Sequence, residues 1–359
     1  MSSEAISTPL TKLFGIKHPV LLAGMNVAAG PALAAAVTNA GGLGVIGGVG
    51  YTPAMLRKNI QLLKKDLVDK NAPFGVDLLL PKVGGGARKT NKDYTKGKLD
   101  ELVDIIIEEG AKLFVSAVGV PPVHVVDKLH AAGIPVMNMV GDTKHVSKAL
   151  DVGVDIICAQ GGEGGGHTGD IASSILIPKV VDICKGRRSK LGGPVHVIAA
   201  GGIFDGRGLA TALCYGAEAV WVGTRFVAAT EAGAPKRHKD HVLKAGYHDT
   251  VRTLIYTGRP LRVFATDYIR DWNDNRSQEI LTLAKAGYLP VAKDVMEAKA
   301  NDTFSFQKQL DMTMPLLMGQ VAGAIDEIKP AKDIVEEMVN VAISVLKENA
   351  AKVQVQSKL

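Results

Sequence analysis

One imidazole stands near the end of a loop from which nearly every other side chain has been stripped. Residues 159–169 read AQGGEGGGHTG, with six glycines around Gln160, Glu163 and His167. Histidine takes or gives a proton close to neutral pH. Surroundings without bulk would let His167 meet a ligand directly. By itself the loop fits three readings: a phosphate cradle, a platform for a flat ring, or a flexible hinge. A solitary histidine more commonly caps a helix or serves a backbone carbonyl. Glu163 could carry a second proton, but anchoring the loop through backbone N–H groups suits it better.

The remaining candidate groups point away from chemistry. His18 precedes a strand. His124, His130 and His145 fall in helical patterns and are expected on the surface. His196 opens a strand at the end remote from the loop. His238, His241 and His248 cluster, but not at zinc-ligand spacing. Cys158, Cys184 and Cys214 make no CxxC pair, so neither a metal site nor a disulfide framework is expected. A reducing compartment is the default.

The 359 residues are 47% hydrophobic and 22% charged, enough for a large core. Net charge is +6, with lysines and arginines spread out and not interleaved with aromatics. That excludes a nucleic-acid platform and leaves room for an anionic small molecule. No apolar run approaches the roughly 20 residues of a membrane helix. The N-terminus has no signal-peptide pattern. Ser357-Lys358-Leu359 reads as a peroxisomal address for an import receptor in a eukaryotic cell. In a bacterium the cytoplasm is expected instead. Oligomeric state stays open, and a homo-oligomer is compatible with the sequence.

What would position His167? Apolar runs at 19–24, 42–48, 74–80, 112–118, 134–140, 155–161, 196–202 and 219–226 read as strands buried on both faces. Helical patterns separate them. Strands of this kind are parallel and need crossover helices. Eight such units are the count of an α/β fold of the TIM (β/α)8 barrel type. A doubly wound sheet is the alternative. Residues 1–226 would hold the strands. Residues 227–320 are more polar and read as an inserted, mainly helical subdomain over the barrel mouth. Residues 321–359 would supply the last barrel helix, with Ile334, Val335, Met338, Val339, Ala342, Val345 and Leu346 on one stripe, and a tail.

Barrel active sites lie at the C-terminal ends of the strands. That rim would carry Ala23-Gly24-Met25, Gly47-Gly48, Asp77, Asn138, Gln160 with its loop, Gly201-Gly202 and Gly223-Thr224. Glycine there lets backbone N–H groups approach an anion. The seventh and eighth strands are where barrels most often bind phosphate.

The strings AGMNVAAG, FGVDLLLP, AQGGEGGGHTG, AAGGIFDGRG and VGTRF occur in that order. Together they resemble the nitronate monooxygenase family, also called 2-nitropropane dioxygenases. GRPLR (258–262) and GQVAGAI (319–325) match more weakly. The resemblance implies an FMN-dependent barrel oxidoreductase. It implies His167 as the catalytic acid/base. Ala23, Gly24 and Met25 would lie along the isoalloxazine ring, with Gln160 and Gly165 touching the flavin. Gly201, Gly202 and the stretch Trp221, Val222, Gly223, Thr224 would hold the ribityl phosphate. Asp77 stands where many members have asparagine beside the flavin, so it would have to be neutral to tolerate negative charge there. His167 could then act as a base toward a nitroalkane, or as imidazolium beside a bound nitronate. The implied reaction oxidises alkyl nitronates with O2 to a carbonyl compound and nitrite. A flavin reductase using NAD(P)H on an enoyl thioester or quinone is the alternative, and a non-catalytic flavin or phosphometabolite binder is the third.

Overall fold

The computed structural model describes residues 6–301 and 305–353. The Ser357–Leu359 address lies outside the described residues. The strands are β1 (Val20–Leu22), β2 (Gly44–Gly48), β3 (Phe74–Leu79), β4 (Leu113–Ala117), β5 (Val136–Val140), β6 (Ile156–Gln160), β7 (Gly166–His167), β8 (His196–Ala200), β9 (Ala219–Val222), β10 (Thr250–Thr253) and β11 (Leu261–Phe264). All but β7, β10 and β11 form one parallel sheet, ordered β1-β9-β8-β6-β5-β4-β3-β2. It closes on itself between β1 and Leu43: Leu22 N–H donates to Leu43 O at 3.0 Å, and Leu43 N–H to Val20 O at 3.0 Å. This is the TIM barrel. Closure leaves no open sheet edge.

Both faces of these strands are buried, as continuous apolar runs require. The inward residues Leu21, Val45, Leu113, Val115, Ile156 and Ile198 fill the barrel lumen, together with Leu10 and Phe14 from a short helix, Pro9–Phe14. The alternate residues meet the helical layer outside. Helix starts follow local chemistry. Thr52 accepts the Met55 N–H ahead of Pro53, and Asp205 accepts the Gly208 N–H at 3.0 Å. Helix Ala331–Ala350 packs between helices Gly206–Cys214 and Pro31–Asn39, completing the outer ring. Its stripe is buried at Ile334, Val335, Met338, Val339 and Ala342.

Three expectations change. The eighth barrel strand stops at Val222, and Thr224–Val227 is a short helix rather than its continuation. His130 is half-buried, not exposed: its Nε2 lies 2.8 Å from Asp155 Oδ2, a carboxylate that also accepts the Val136 N–H at 2.7 Å. The residues after the eighth strand are largely helical but also contain the hairpin β10–β11. That hairpin pairs with β7, setting Leu261 opposite His167 and Arg262 opposite Gly166. It packs on a separate small core of Ile255, Leu261, Val263, Ile269, Trp272 and Ile280.

Candidate active site

The glycine-rich loop leaves β6 and is tied down at every few residues. Gln160 Nε2 donates to His167 O at 2.8 Å. Thr168 Oγ1 donates to Gly161 O at 2.9 Å. Glu163 accepts the Ser173 N–H at 3.1 Å, which anchors the loop to the start of helix Ser173–Cys184. The glycines mostly answer to protein rather than ligand. A Cβ at Gly165 would lie 2.7 Å from Gly319 N, and one at Gly169 would lie 2.1 Å from Gly141 O. The loop is therefore a packed structure and not a hinge.

His167 is held by its backbone in β7. Its ring is half-buried, and Nε2 lies 3.1 Å from Thr257 Oγ1. Burial, and then the nearby Arg259 charge, pull its pKa down to about 4. The ring is thereby biased toward its neutral form at physiological pH. Arg259 is fixed in turn: Nη1 donates to Val118 O at 3.1 Å and Nε to Asn91 Oδ1 at 3.2 Å. Val118 has φ +72°, a left-handed conformation that costs a β-branched residue about 1–3 kcal/mol. Two more arginines of the hairpin hold the loop. Arg262 Nε donates to Gly162 O at 3.0 Å, and Arg252 Nη1 to Gly169 O at 2.8 Å.

A second group of residues gathers at the ends of β1, β3 and β9. Asp77 points into the barrel and is 2% exposed. Its Oδ2 would lie 2.2 Å from a Cβ at Gly24. Its Oδ1 has no protein partner, and burial pushes the carboxyl up to about 8. A Cβ at Gly223 would meet Ala23 Cβ at 3.5 Å and Met25 Sδ at 3.6 Å. Ala23, Gly24, Met25, Asp77 and Gly223 are thus one shelf. Trp221 fills the lumen and Val222 faces the outer core, so their side chains are spent on packing.

The third group is Gly201-Gly202, at φ +85° and +74°. Among the described residues their N–H groups find no backbone acceptor. Consecutive left-handed glycines with open N–H groups form an anion nest. Thr224 Oγ1 accepts the Gly319 N–H at 2.9 Å, keeping its own hydrogen free to donate. Sequence reasoning missed Thr257 and Arg259 as partners of His167. Arg259 lies in the GRPLR string, its only signal, and Thr257 immediately precedes that string. Among the described residues no cluster of His, Cys, Asp or Glu could hold a metal ion, and no helix is long and apolar enough to cross a membrane.

Comparison with known proteins agrees with this geometry. The chain is 33% identical over 377 residues to the (3aS,4S,5R,7aS)-5-hydroxy-7a-methyl-1-oxo-octahydro-1H-indene-4-carboxyl-CoA dehydrogenase of Mycobacterium tuberculosis, covering 97% of this chain and 99% of that one. It is similar to the structure of FabK from Thermotoga maritima, at 32% identity and TM-score 0.76, over 97% of this chain and 100% of that one. It also resembles the nitroalkane oxidase of Streptomyces ansochromogenes, at 25% identity and TM-score 0.73, over 95% and 99%. The family model for nitronate monooxygenase matches residues 7–340, and with the closed barrel and the loop that carries His167, it places this chain in the nitronate monooxygenase family of oxidoreductases.

Proposed function

We propose that the protein is an FMN-dependent oxidoreductase that oxidises alkyl nitronates, and the nitroalkanes that yield them, with O2 to a carbonyl compound and nitrite. The observation that carries this reading is the placement of His167 at the barrel mouth, its backbone paired with Leu261 and its Nε2 3.1 Å from Thr257 Oγ1, in a chain of the nitronate monooxygenase family. The neutral ring keeps a lone pair for the acidic proton of a nitroalkane, although burial makes it a weaker base than a hydrated imidazole.

The residues present suit FMN. Gly201 and Gly202 offer a nest for one phosphate, with Gly223 and Thr224 beside it. Ala23, Gly24 and Met25 form the shelf for the ring. Gln160 and Gly165 shape its edge, while Trp221 and Val222 act through backbone. FMN held by these residues would supply the two-electron oxidation and the route of the electrons to O2. His167 Nε2 engages Thr257 Oγ1, which leaves Nδ1 as the nitrogen with a free lone pair. Once protonated, the ring is disfavoured by its burial and by Arg259, so it gives the proton back easily. Asp77 is neutral up to about pH 8 and does not oppose negative charge on the shelf.

A second reading is favoured by one comparison. The relative that this chain matches over 97% of its length is named a dehydrogenase of a carboxyl-CoA compound. Anaerobic rapid mixing separates the two. Loss of the yellow absorbance with an alkyl nitronate alone supports nitronate oxidation. Loss only with an acyl-CoA, or only with NADPH, overturns it in favour of a thioester dehydrogenase or a reductase. No loss with any donor leaves a flavin binder.

A further inference from the structure

The loop between β3 and helix Leu99–Glu108 has no regular structure and lies at the barrel mouth. It carries Lys82, Arg88, Lys89, Lys92, Lys96 and Lys98 against a single carboxylate, Asp93. The loop's local balance is thus strongly positive, in a chain whose 42 lysines and arginines are otherwise largely offset by 36 carboxylates. Asp93 is engaged internally, accepting the Thr95 N–H at 2.8 Å and the Gly97 N–H at 2.7 Å. Lys98 pairs with Glu101. Among the described residues, Lys82, Arg88, Lys89 and Lys92 have no carboxylate partner. Four cations within eleven residues of one exposed loop, with no carboxylate partner, leave positive potential that an anion would relieve.

The loop also builds a backbone receptor. Ala87 N–H donates to Gly84 O at 3.0 Å, closing a turn over Gly84-Gly85-Gly86. Gly84 and Gly86 have φ +82° and +71°. A Cβ at Gly85 would meet nothing within 4 Å, so packing does not explain its absence. Lys82 Nζ folds over the turn, 3.2 Å from where a Gly86 Cβ would be. Open N–H groups under an ammonium suit a phosphate.

This receptor is wired to the active site. Arg88 Nη1 donates to Gly258 O at 3.0 Å, and Asn91 Oδ1 accepts from Arg259 Nε at 3.2 Å. The 257–259 turn between them is the one that touches His167 through Thr257.

We infer that the 82–98 loop binds the diphosphate of a nucleotide-bearing ligand whose other end reaches His167. The inference rests on His167 marking the reactive centre. Two ligands share this chemistry: a coenzyme A thioester and NAD(P)H. The test is calorimetric titration of the FMN-loaded protein with coenzyme A and, separately, with NADP⁺. At least one should bind at micromolar concentration, more weakly as salt rises. Lys82→Glu/Lys89→Glu should weaken it by at least about tenfold, since each reversal turns an attraction into a repulsion. Unchanged flavin absorbance and circular dichroism would show that this variant is folded. Heat from coenzyme A alone identifies a thioester, and heat from NADP⁺ alone identifies a hydride donor. Silence from both at millimolar concentration, or unaltered binding by the double variant, overturns the inference. Calorimetry reads occupancy, so failure to oxidise nitronates would sink the proposed reaction without touching this site, and the reverse also holds.

Discussion

His167 and Asp77 are ionisable groups displaced in opposite directions by the same cause, loss of water. For His167 the neutral form wins, so it is a base over the whole physiological range. The acid limb of kcat/KM for a nitroalkane should therefore fall near pH 4 and not near 6.5. A limb at 6.5 would show that the ring is hydrated and the assignment wrong. His167→Ala should retain FMN, because no proposed cofactor contact runs through the imidazole. Turnover per bound FMN should drop by about 10²–10⁴-fold on a nitroalkane, the usual worth of an acid–base group, and less on a preformed nitronate. If instead flavin content collapses while turnover per flavin survives, the ring is structural. Asp77 gives a stability signature. Its folded pKa of about 8 lies above the unfolded value of 3.8, so the native state holds the extra proton between those limits. Stability should fall as pH rises from about 4 to 8 and level off above, with a slope of up to ~1.4 kcal/mol per pH unit. Asp77→Asn should flatten that slope in chemical denaturation followed across the pH range. An equal slope in both proteins would place the charge elsewhere.

At the scale of elements, the hairpin β10–β11 does what the barrel alone does not: it pairs with the backbone of the histidine and, through Arg259, adds to the fall in its proton affinity that burial begins. Arg259→Gln keeps hydrogen-bonding groups but removes the charge that lowers the His167 pKa. The acid limb should then shift upward, toward the ordinary histidine value, by less than the full displacement, since burial is the larger cause. A rate loss with an unmoved limb would assign Arg259 to substrate contact alone. The eight barrel strands were legible because each is a short run apolar on both faces, bounded by glycine. The hairpin was not. TVRT and LRVF are short and half polar, and the partner β7 is only two residues long. The rim positions were legible from strand ends, and Glu163 as loop anchor from its place among glycines. The arginine contacts were not, because they join a charged side chain to a carbonyl more than eighty residues away, a pairing with no local pattern. The packing around the loop's glycines was not legible either. Gly165 and Gly169 give way to neighbouring backbone, which only the fold reveals.

For the whole molecule, the pair of left-handed glycines that ends β8, Gly201-Gly202, suits the single phosphate of FMN and predicts FMN rather than FAD. Heat-released cofactor resolved by chromatography should run with FMN, and FAD would refute the assignment. Barrel and hairpin share a strand pair, so they are not independent parts. The loop after β6 supplies His167, the proposed base, and a segment encoded some ninety residues downstream contacts it and adds the Arg259 charge that, after burial, lowers its proton affinity. Lineages that exchange or reshape this segment would inherit an intact cofactor shelf with a base of different strength. New reactivity could thus arise in this scaffold by drift in the hairpin segment, with no change to the loop that bears the histidine.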